Sequence, residues 1–489
     1  MSSTTATTQP SPWRTVATIA IIFALSLYVY GEVARHNETL IGVVVLPILL
    51  MIVKPIFEKM GDAETEFDLY GLLLAGFGLK MAATFFRFLG GVDSVVYHKV
   101  GLELAEEFKR GNFGADTGRK IPGTGSVRYF TGLVEVLTGG SYFASYLVFS
   151  FLGFFGLVFF YRATVLAYPL CRRSRLAKLT FLWPSLLFWP SSIGKEALML
   201  FSLGLATYGL ANLFEGRTSG FAELALGVVG AGLIRPHVAG IMFAGAGAAY
   251  LVRRSSGGLS GAATKLVVVG CLAAGLFYAN SAAQASLGVD GGGGGLTAAL
   301  DQTEQQTGQG GAQFTPARVS SPAELPWAVV TVLFRPFPHE AHNVEALIAS
   351  LESIVLLGFA VASVRDYPAV FSRIRREAYP MMAVGYVLTF SFLFSAVGNF
   401  GILTRQRAQV LPILFILLAL PAAKSRVVPA ARPMPVLDIR EASRPTRPSA
   451  SASVRTAQRP PLEADRRAVR RSGSPLRRRT TSTGSRPNV

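Results

Sequence analysis

The sequence predicts an all-α fold, a polytopic bundle of transmembrane helices, and three observations lead to this fold class. Of the 489 residues, 51% are hydrophobic and only 16% are charged, whereas about a quarter of the residues in a soluble protein are normally charged. Many apolar segments reach or approach the ~20 residues that cross a bilayer as a helix. Clusters of basic residues separate several of these segments, as they do at the cytoplasmic ends of transmembrane helices.

The basic clusters also orient the predicted helices. The clearest are CRRSR at Cys171, VRRSS at Val252 and SRIRRE at Ser372, and cytoplasmic loops are enriched in such residues. Working outward from them predicts about twelve spans, with both termini in the cytoplasm. The predicted spans run near residues 14–30, 39–57, 69–89, 141–168, 178–190, 195–213, 221–234, 237–252, 262–283, 345–364, 380–399 and 408–423.

Several predicted spans, especially 178–190 and 221–234, are short for a full crossing. Pro and Gly interrupt the chain near them, and an interrupted backbone at membrane depth is tolerated only where protein or a cavity surrounds it. The membrane domain is predicted to occupy residues 1–423, with outer loops at 90–140 and 284–344.

The first outer loop contains VVYHKVGLELAEEFKR, which predicts an amphipathic helix. Val96, Val100, Leu104 and Phe108 recur every fourth residue between polar positions, the spacing of an apolar stripe on one helix face. A helix of this kind lies in the plane of the membrane interface.

The C-terminal segment, residues 424–489, is predicted to be a disordered basic cytoplasmic tail. It carries sixteen Lys or Arg against four Asp or Glu, no aromatic residue, and many Pro and Ser, a composition that cannot build a core. We expect the tail to contact anionic lipid, with a specific protein or nucleic-acid partner as the alternative. Because the positive charge is concentrated in this tail, the net charge of +18 is a poor guide to nucleic-acid binding, and no nucleic acid is expected.

Ionisable side chains gather at the outer ends of the predicted spans. Charged groups near membrane depth are costly and usually face a cavity, so their convergence predicts a functional site. The candidate residues are Asp93, Tyr97 and His98 around the outer helix, Lys195 and Glu196 in WPSSIGKEA, Arg235 and His237 in GLIRPHVAG, Arg335 and Glu340 in LFRPFPHEAHN, and Arg405 and Arg407 in NFGILTRQRAQ.

These residue types predict an anionic ligand. The planar guanidinium group matches phosphate oxygens bidentately, and one carboxylate of Asp93, Glu196 or Glu340 could act as a general base toward a hydroxyl. His237 would orient an arginine or move a proton. Together they indicate transfer from a lipid-phosphate donor to an acceptor outside the cell membrane.

Each candidate also has a structural interpretation. Asp93 stands where a helix N-cap is expected, and Lys195 with Glu196 could mark the interfacial start of a span. The arginines 405 and 407 could extend to lipid headgroups, and the prolines in RPH and RPFP could only kink the backbone. HEAH at residues 339–342 lacks the spacing of HExxH; no metal or other cofactor is predicted, although a divalent metal stays possible.

The segments GGVDSVVYHKVGLELAEEFKRGNF, FWPSSIGKEALMLFSLGLATYGL, GLIRPHVAG and RPFPHEAHNVEALIASLE give the chain a resemblance to the GT-C class of membrane glycosyltransferases and the related bacterial polysaccharide polymerases. The resemblance covers residues 69–423. It implies a polyprenyl-phosphate-linked sugar as donor, a glycan as acceptor, Asp93 as the base, and Arg235, Arg335, Arg405 or Arg407 as phosphate ligands.

The sequence departs from the class in two ways. Asp93 follows the third span rather than the first, and no second acid stands beside it. A metal-free polymerase driven by arginines is equally compatible. Two other functions stay open: a transporter or flippase for an anionic lipid-linked glycan, and a non-catalytic protein of envelope assembly. In each case we expect a multi-pass protein of the plasma membrane.

Overall fold

Apolar α-helices make up most of the structure, a computed structural model that describes residues 11–35, 40–252 and, with gaps at 302, 306, 309–311 and 320, residues 300–420. All of these residues belong to one structural unit that runs to Asp438, and the second unit, Ile439–Val489, lies outside them. In chain order the helices are α1 (Pro12–Arg35), α2 (Leu40–Asp62), α3 (Leu69–Gly90), α4 (Val92–Lys109), α5 (Thr124–Thr138), α6 (Tyr142–Ala167), α7 (Arg173–Leu182), α8 (Pro184–Phe188), α9 (Lys195–Phe214), α10 (Gly220–Ile234), α11 (Pro236–Val252), α12 (Leu325–Phe334), α13 (Val344–Ala362), α14 (Tyr367–Ile374), α15 (Ala378–Phe394), α16 (Phe400–Arg407) and α17 (Leu411–Leu418).

Several of these helices are long and apolar enough to cross a membrane. Among the described residues there are six, α1, α2, α3, α6, α9 and α13, and the bent pair α16 and α17, at 58° to each other, would make a seventh. The predicted all-helical fold, with several helices long and apolar enough to cross a membrane, is therefore confirmed for the described residues, while the twelve spans and the cytoplasmic termini stay predictions. The predicted span 262–283, much of the second outer loop and the tail from residue 424 lie outside the described residues.

The segments predicted as short spans are short or broken helices. The segment predicted at 178–190 is divided between α7 and α8, and α10, α11 and α15 have only 15 to 17 residues. Proline causes two of the breaks, because it lacks an amide hydrogen and pushes the preceding residue out of the helical region. Trp183 before Pro184 has ψ 123°, and Arg235 before Pro236 has φ −144° and ψ 90°.

Helix α9 is held between α6 and α10 by contacts of small residues. A Cβ at Gly204 would lie 2.3 Å from the carbonyl oxygen of Gly156 in α6, and a Cβ at Gly209 would lie 2.3 Å from the amide nitrogen of Leu224 in α10. Close backbone approach through small residues is how helices associate where lipid gives no hydrophobic driving force. The position of the α9 N-terminus is therefore set by backbone contact on two sides.

The predicted amphipathic helix is α4, which starts at Val92, and it packs against α5. Leu104 and Phe108 are buried in this contact, whereas Val96 is 49% exposed. The buried face of α4 is rotated from the predicted apolar stripe because α4 packs against α5. Helix α5 was not predicted and lies within the predicted loop 90–140. Gly101 belongs to the contact, since a Cβ there would lie 2.7 Å from Thr131.

We predict that Gly204→Ala lowers the thermal stability of the purified protein in detergent. The new methyl group would collide with the backbone of α6, and overpacking of this kind costs about 1–3 kcal/mol. The matched control is Gly358→Ala in α13, where a Cβ would meet nothing within 4 Å. Equal melting temperatures for the two variants would contradict the close contact between α6 and α9.

Candidate functional site

A cavity of about 440 Å³ lies where the C-terminal end of α3 meets the N-terminal ends of α4 and α9. Its remaining walls come from the loop between α8 and α9, the break between α10 and α11, α13 and α16. The lining residues are Arg87, Gly90, Gly91, Asp93, Ser94, Tyr97, Phe188, Trp189, Ser192, Ile193, Gly194, Lys195, Glu196, Arg235, Glu345 and Arg405.

Two helix N-termini open into this cavity. Helices α4 and α9 begin after Gly91 and Gly194, and neither glycine has a side chain that could cap the first turn. The free amide groups and the helix dipole give each N-terminus a partial positive charge of about half a unit. Gly91 is also required by space, because a Cβ there would lie 2.2 Å from the hydroxyl of Tyr146.

The charged side chains of the cavity give it an excess of positive charge. Four are cationic (Arg87, Lys195, Arg235 and Arg405) and three are acidic (Asp93, Glu196 and Glu345). The two helix N-termini add to this excess, so the cavity as a whole favours an anion.

One ion pair in the cavity is buried and one contact is loose. Arg235 donates from Nη2 to Oε1 of Glu196 at 3.1 Å, and both side chains are less than 15% exposed. Arg405 Nη1 lies 3.6 Å from Oδ2 of Asp93, whose side chain is 77% exposed. Glu196 is thus committed to Arg235, while Asp93 is free to meet a ligand.

Aromatic rings support two of the arginines. The ring of Trp189 lies 5.3 Å from the guanidinium carbon of Arg87 and 5.4 Å from that of Arg405, within the range of cation–π attraction. Arg87 also lies 5.2 Å from the ring of Phe188. The rings leave hydrogen-bond donors unused: Arg87 Nε, Arg235 Nη1 and Arg405 Nε are buried without an acceptor among the described residues.

Tyr97 faces the cavity from the first turns of α4. Burial, and after it the nearby charges of Glu196 and Asp93, raise the pKa of its phenol above the ordinary value. The hydroxyl therefore stays protonated at neutral pH and can donate a hydrogen bond to a ligand.

Six of the eleven residues predicted from the sequence line this cavity, and they come from four separate segments of the chain. They are Asp93, Tyr97, Lys195, Glu196, Arg235 and Arg405. Asp93 is not the N-cap of α4, since Gly91 occupies that position and Asp93 stands in the first turn.

Two predicted residues, Arg335 and Glu340, pair with each other instead. Arg335 Nε lies 2.9 Å from Oε1 of Glu340, and its guanidinium group lies over the ring of Phe314 at 4.4 Å. Burial alone would raise the pKa of Glu340, but hydrogen bonds from Arg335 and from the Phe337 amide outweigh it and lower the pKa. The carboxylate therefore stays ionised and stabilises the turn after α12.

The other three predicted residues also lie outside the lining of the cavity. His98 Nδ1 lies 2.9 Å from Oε1 of the buried Glu135 between α4 and α5. The ring of His237 lies 6.0 Å from that of Phe394. Arg407 is buried and donates to the carbonyl oxygen of Leu333 at 2.8 Å.

Arg87 and Glu345 also line the cavity but were not predicted from the sequence. Arg87 could have been identified from the sequence, because a cation within the apolar segment of α3 costs free energy unless protein surrounds it. The sequence offers no reason to single out Glu345, because acidic residues are common in the first turn of a helix.

A second cavity of about 230 Å³ shares Phe188, Trp189 and Glu345 with the first. Its surface is almost wholly apolar, although Glu352 and Arg407 contribute to it. One wall is α13, which contributes Ile348, an apolar side chain that is 58% exposed. A polar cavity and an apolar cavity thus share one wall.

Within the described part of the chain, no group of three or more His, Cys, Asp or Glu side chains is arranged to hold a metal ion. The residues of the first cavity that could hold an anionic ligand are the arginines, Lys195, Tyr97 and the two helix N-termini.

Comparison of the chain with protein-family models, with curated proteins and with solved structures found no match in any of the three.

Proposed function

We propose that the protein is a membrane glycosyltransferase or polysaccharide polymerase that takes a sugar from a polyprenyl-phosphate-linked donor at the outer face of the plasma membrane. The observation that carries this proposal is the convergence of four cationic side chains and two uncapped helix N-termini on one cavity. Such a site favours phosphate, and the arginines still have donors to offer.

The apolar cavity supports a lipid rather than a soluble phosphate compound. It adjoins the polar cavity through Phe188 and Trp189 and is bounded by the apolar helix α13. A ligand with a phosphate group attached to a hydrocarbon chain would fill both cavities at once.

Asp93 is the best candidate for the general base. In the proposed reaction it takes the proton of the acceptor hydroxyl, the acceptor oxygen bonds to the anomeric carbon, and the bond from that carbon to the phosphate oxygen breaks. The electron pair leaves with the phosphate, where Arg235, Arg405 and Arg87 stabilise the developing charge. Glu196 keeps Arg235 in place.

The proposed topology has both termini in the cytoplasm and about twelve spans. In this topology, the ends of α3 and α9 that line the cavity lie on the outer side of the membrane. The pair α4 and α5 lies on the same side. The turn between α9 and α10 falls on the inner side.

Cysteine labelling in whole cells tests this topology. In a variant with Cys171 and Cys271 replaced by Ser, we expect an impermeant thiol reagent to label Gly114→Cys in the outer loop before permeabilisation. Thr218→Cys, the matched position between α9 and α10, should react only after permeabilisation; both residues are exposed. The reverse pattern would contradict the topology and the outer location of the site.

Substitution of Arg235 tests the phosphate site. Arg235→Lys keeps the charge and loses the bidentate fork, so we expect the affinity for a polyprenyl-phosphate sugar to fall about ten- to a hundredfold, the effect of losing ~1.5–3 kcal/mol of charge-assisted hydrogen bonding. Arg235→Ala should be at least as harmful. The control is Arg110→Lys at the C-terminal end of α4, where the arginine is 71% exposed and pairs with Glu107. Normal binding by both Arg235 variants would exclude Arg235 as a phosphate ligand.

Substitution of Asp93 separates the transferase from a flippase that uses the same cavity. Removing a general base lowers the rate by about 10²- to 10⁴-fold, so Asp93→Asn should lose sugar transfer at this scale while the donor still binds. The assay follows a labelled sugar from donor lipid to acceptor in proteoliposomes. Donor binding and transbilayer movement without sugar transfer in the wild-type protein would favour the flippase.

A further inference from the structure

A lysine is buried inside the membrane-spanning helix α3, away from both cavities. Lys80 has no exposed surface, and its Nζ lies 3.3 Å from the carbonyl oxygen of Leu186 and 3.5 Å from that of Leu187. The ion pairs formed among the described residues include none with Lys80. Its partners are thus the last carbonyl groups of α8, which have no helical donor because the helix ends there.

A chain of hydroxyl groups reaches the same carbonyl group from the same face of α3. Thr84, one turn after Lys80, donates to Ser150 of α6 at 2.7 Å, and Ser150 donates to Ser191 at 3.3 Å. Ser191 in turn donates to the carbonyl oxygen of Leu187. A second connection, through side-chain hydroxyl groups, therefore runs from α3 to the carbonyl oxygen of Leu187.

The segment held in this way is residues 188–194, which forms one wall of the polar cavity. Phe188, Trp189 and Ser192 face the cavity from it. From the other side, Ser94 donates to the carbonyl oxygen of Ile193 at 3.0 Å. The segment has no regular secondary structure after α8 ends. Its shape therefore depends on hydrogen bonds from side chains of other helices.

The fold itself has little need of a charge at this position. A buried charge is costly in a membrane-spanning helix, and no acidic side chain among the described residues pairs with Lys80 to offset this cost. We propose that Lys80 is a positioning residue: its ammonium group holds the end of α8 so that residues 188–194 keep the shape that binds the anionic ligand.

The experiment compares Lys80→Met with Arg162→Met. Arg162 is also buried in a membrane-spanning helix, where it donates to the hydroxyl of Tyr208 at 3.1 Å. It stands nine residues beyond Gly153, which approaches Pro190 of the segment, and nine helical residues span about 13 Å. Both variants remove a buried basic side chain, but only Lys80→Met removes hydrogen bonds to the end of α8.

The first readout is independent of any ligand. In a variant with Cys171 and Cys271 replaced by Ser, a cysteine at the buried position Ser192 reports the shape of the segment through its reaction rate with a small thiol reagent. We expect Lys80→Met to raise this rate several-fold, and Arg162→Met to leave it unchanged. We also expect Lys80→Met to reach the membrane at the wild-type level and to melt at or above the wild-type temperature.

The second readout rests on the proposed function. It measures binding of a polyprenyl-phosphate sugar with Ser192 intact, and we expect Lys80→Met to weaken binding about ten- to a hundredfold, the scale of a small misplacement in a site. If the wild-type protein does not bind this lipid, the proposed function fails while the labelling result still decides the role of Lys80.

Three results would overturn the proposal. Lys80→Met could fail to accumulate or melt well below the wild-type protein, which would make Lys80 a stabilising residue of the fold. The rate at the cysteine could stay unchanged, which would show that Lys80 does not hold the segment. Lipid binding could survive a raised labelling rate, which would show that the shape of the segment does not matter for the ligand.

Discussion

The bilayer interior supplies no hydrogen-bond partners, so a charged side chain or an interrupted helix at membrane depth has to be enclosed by protein. This constraint explains why the broken helices and the arginines occur together. The break at Pro236 leaves backbone groups without helical partners, and the charged side chains beside it, such as Arg235, need polar surroundings. One shared cavity at the ends of α3 and α9 meets both needs.

Small residues make this enclosure possible. Contacts at Gly204 and Gly209 bring α9 against the backbones of α6 and α10, and the tight packing sets the position of its N-terminus beside that of α4. The N-termini of α4 and α9 then each add a partial positive charge to the cavity, in addition to the charge of its cationic side chains. The packing of α9 against α6 and α10 therefore also determines part of the positive charge at the cavity.

The two adjoining cavities have the polarity of an amphiphilic ligand. The larger one is surrounded by guanidinium groups and helix N-termini, while the smaller one is bounded by the apolar face of α13. Phe188 and Trp189 belong to both, so their segment sets how a phosphate and a hydrocarbon chain would be placed relative to each other. Lys80 of α3 contacts the last carbonyl groups of α8, immediately before this segment.

Composition and the spacing of apolar and basic residues were enough to predict a helical membrane protein, because lipid demands long apolar segments whatever the packing. They also pointed to residues such as Arg235 and Glu196, since charge near an apolar segment is visible along the chain. They could not separate Arg405, which faces the cavity, from Arg407 two residues later, which is buried against Leu333. Only the tertiary structure decided this, because the direction of a side chain depends on which helices surround it, and the pairing of helices in a membrane follows close contacts that leave little trace in the hydrophobic pattern.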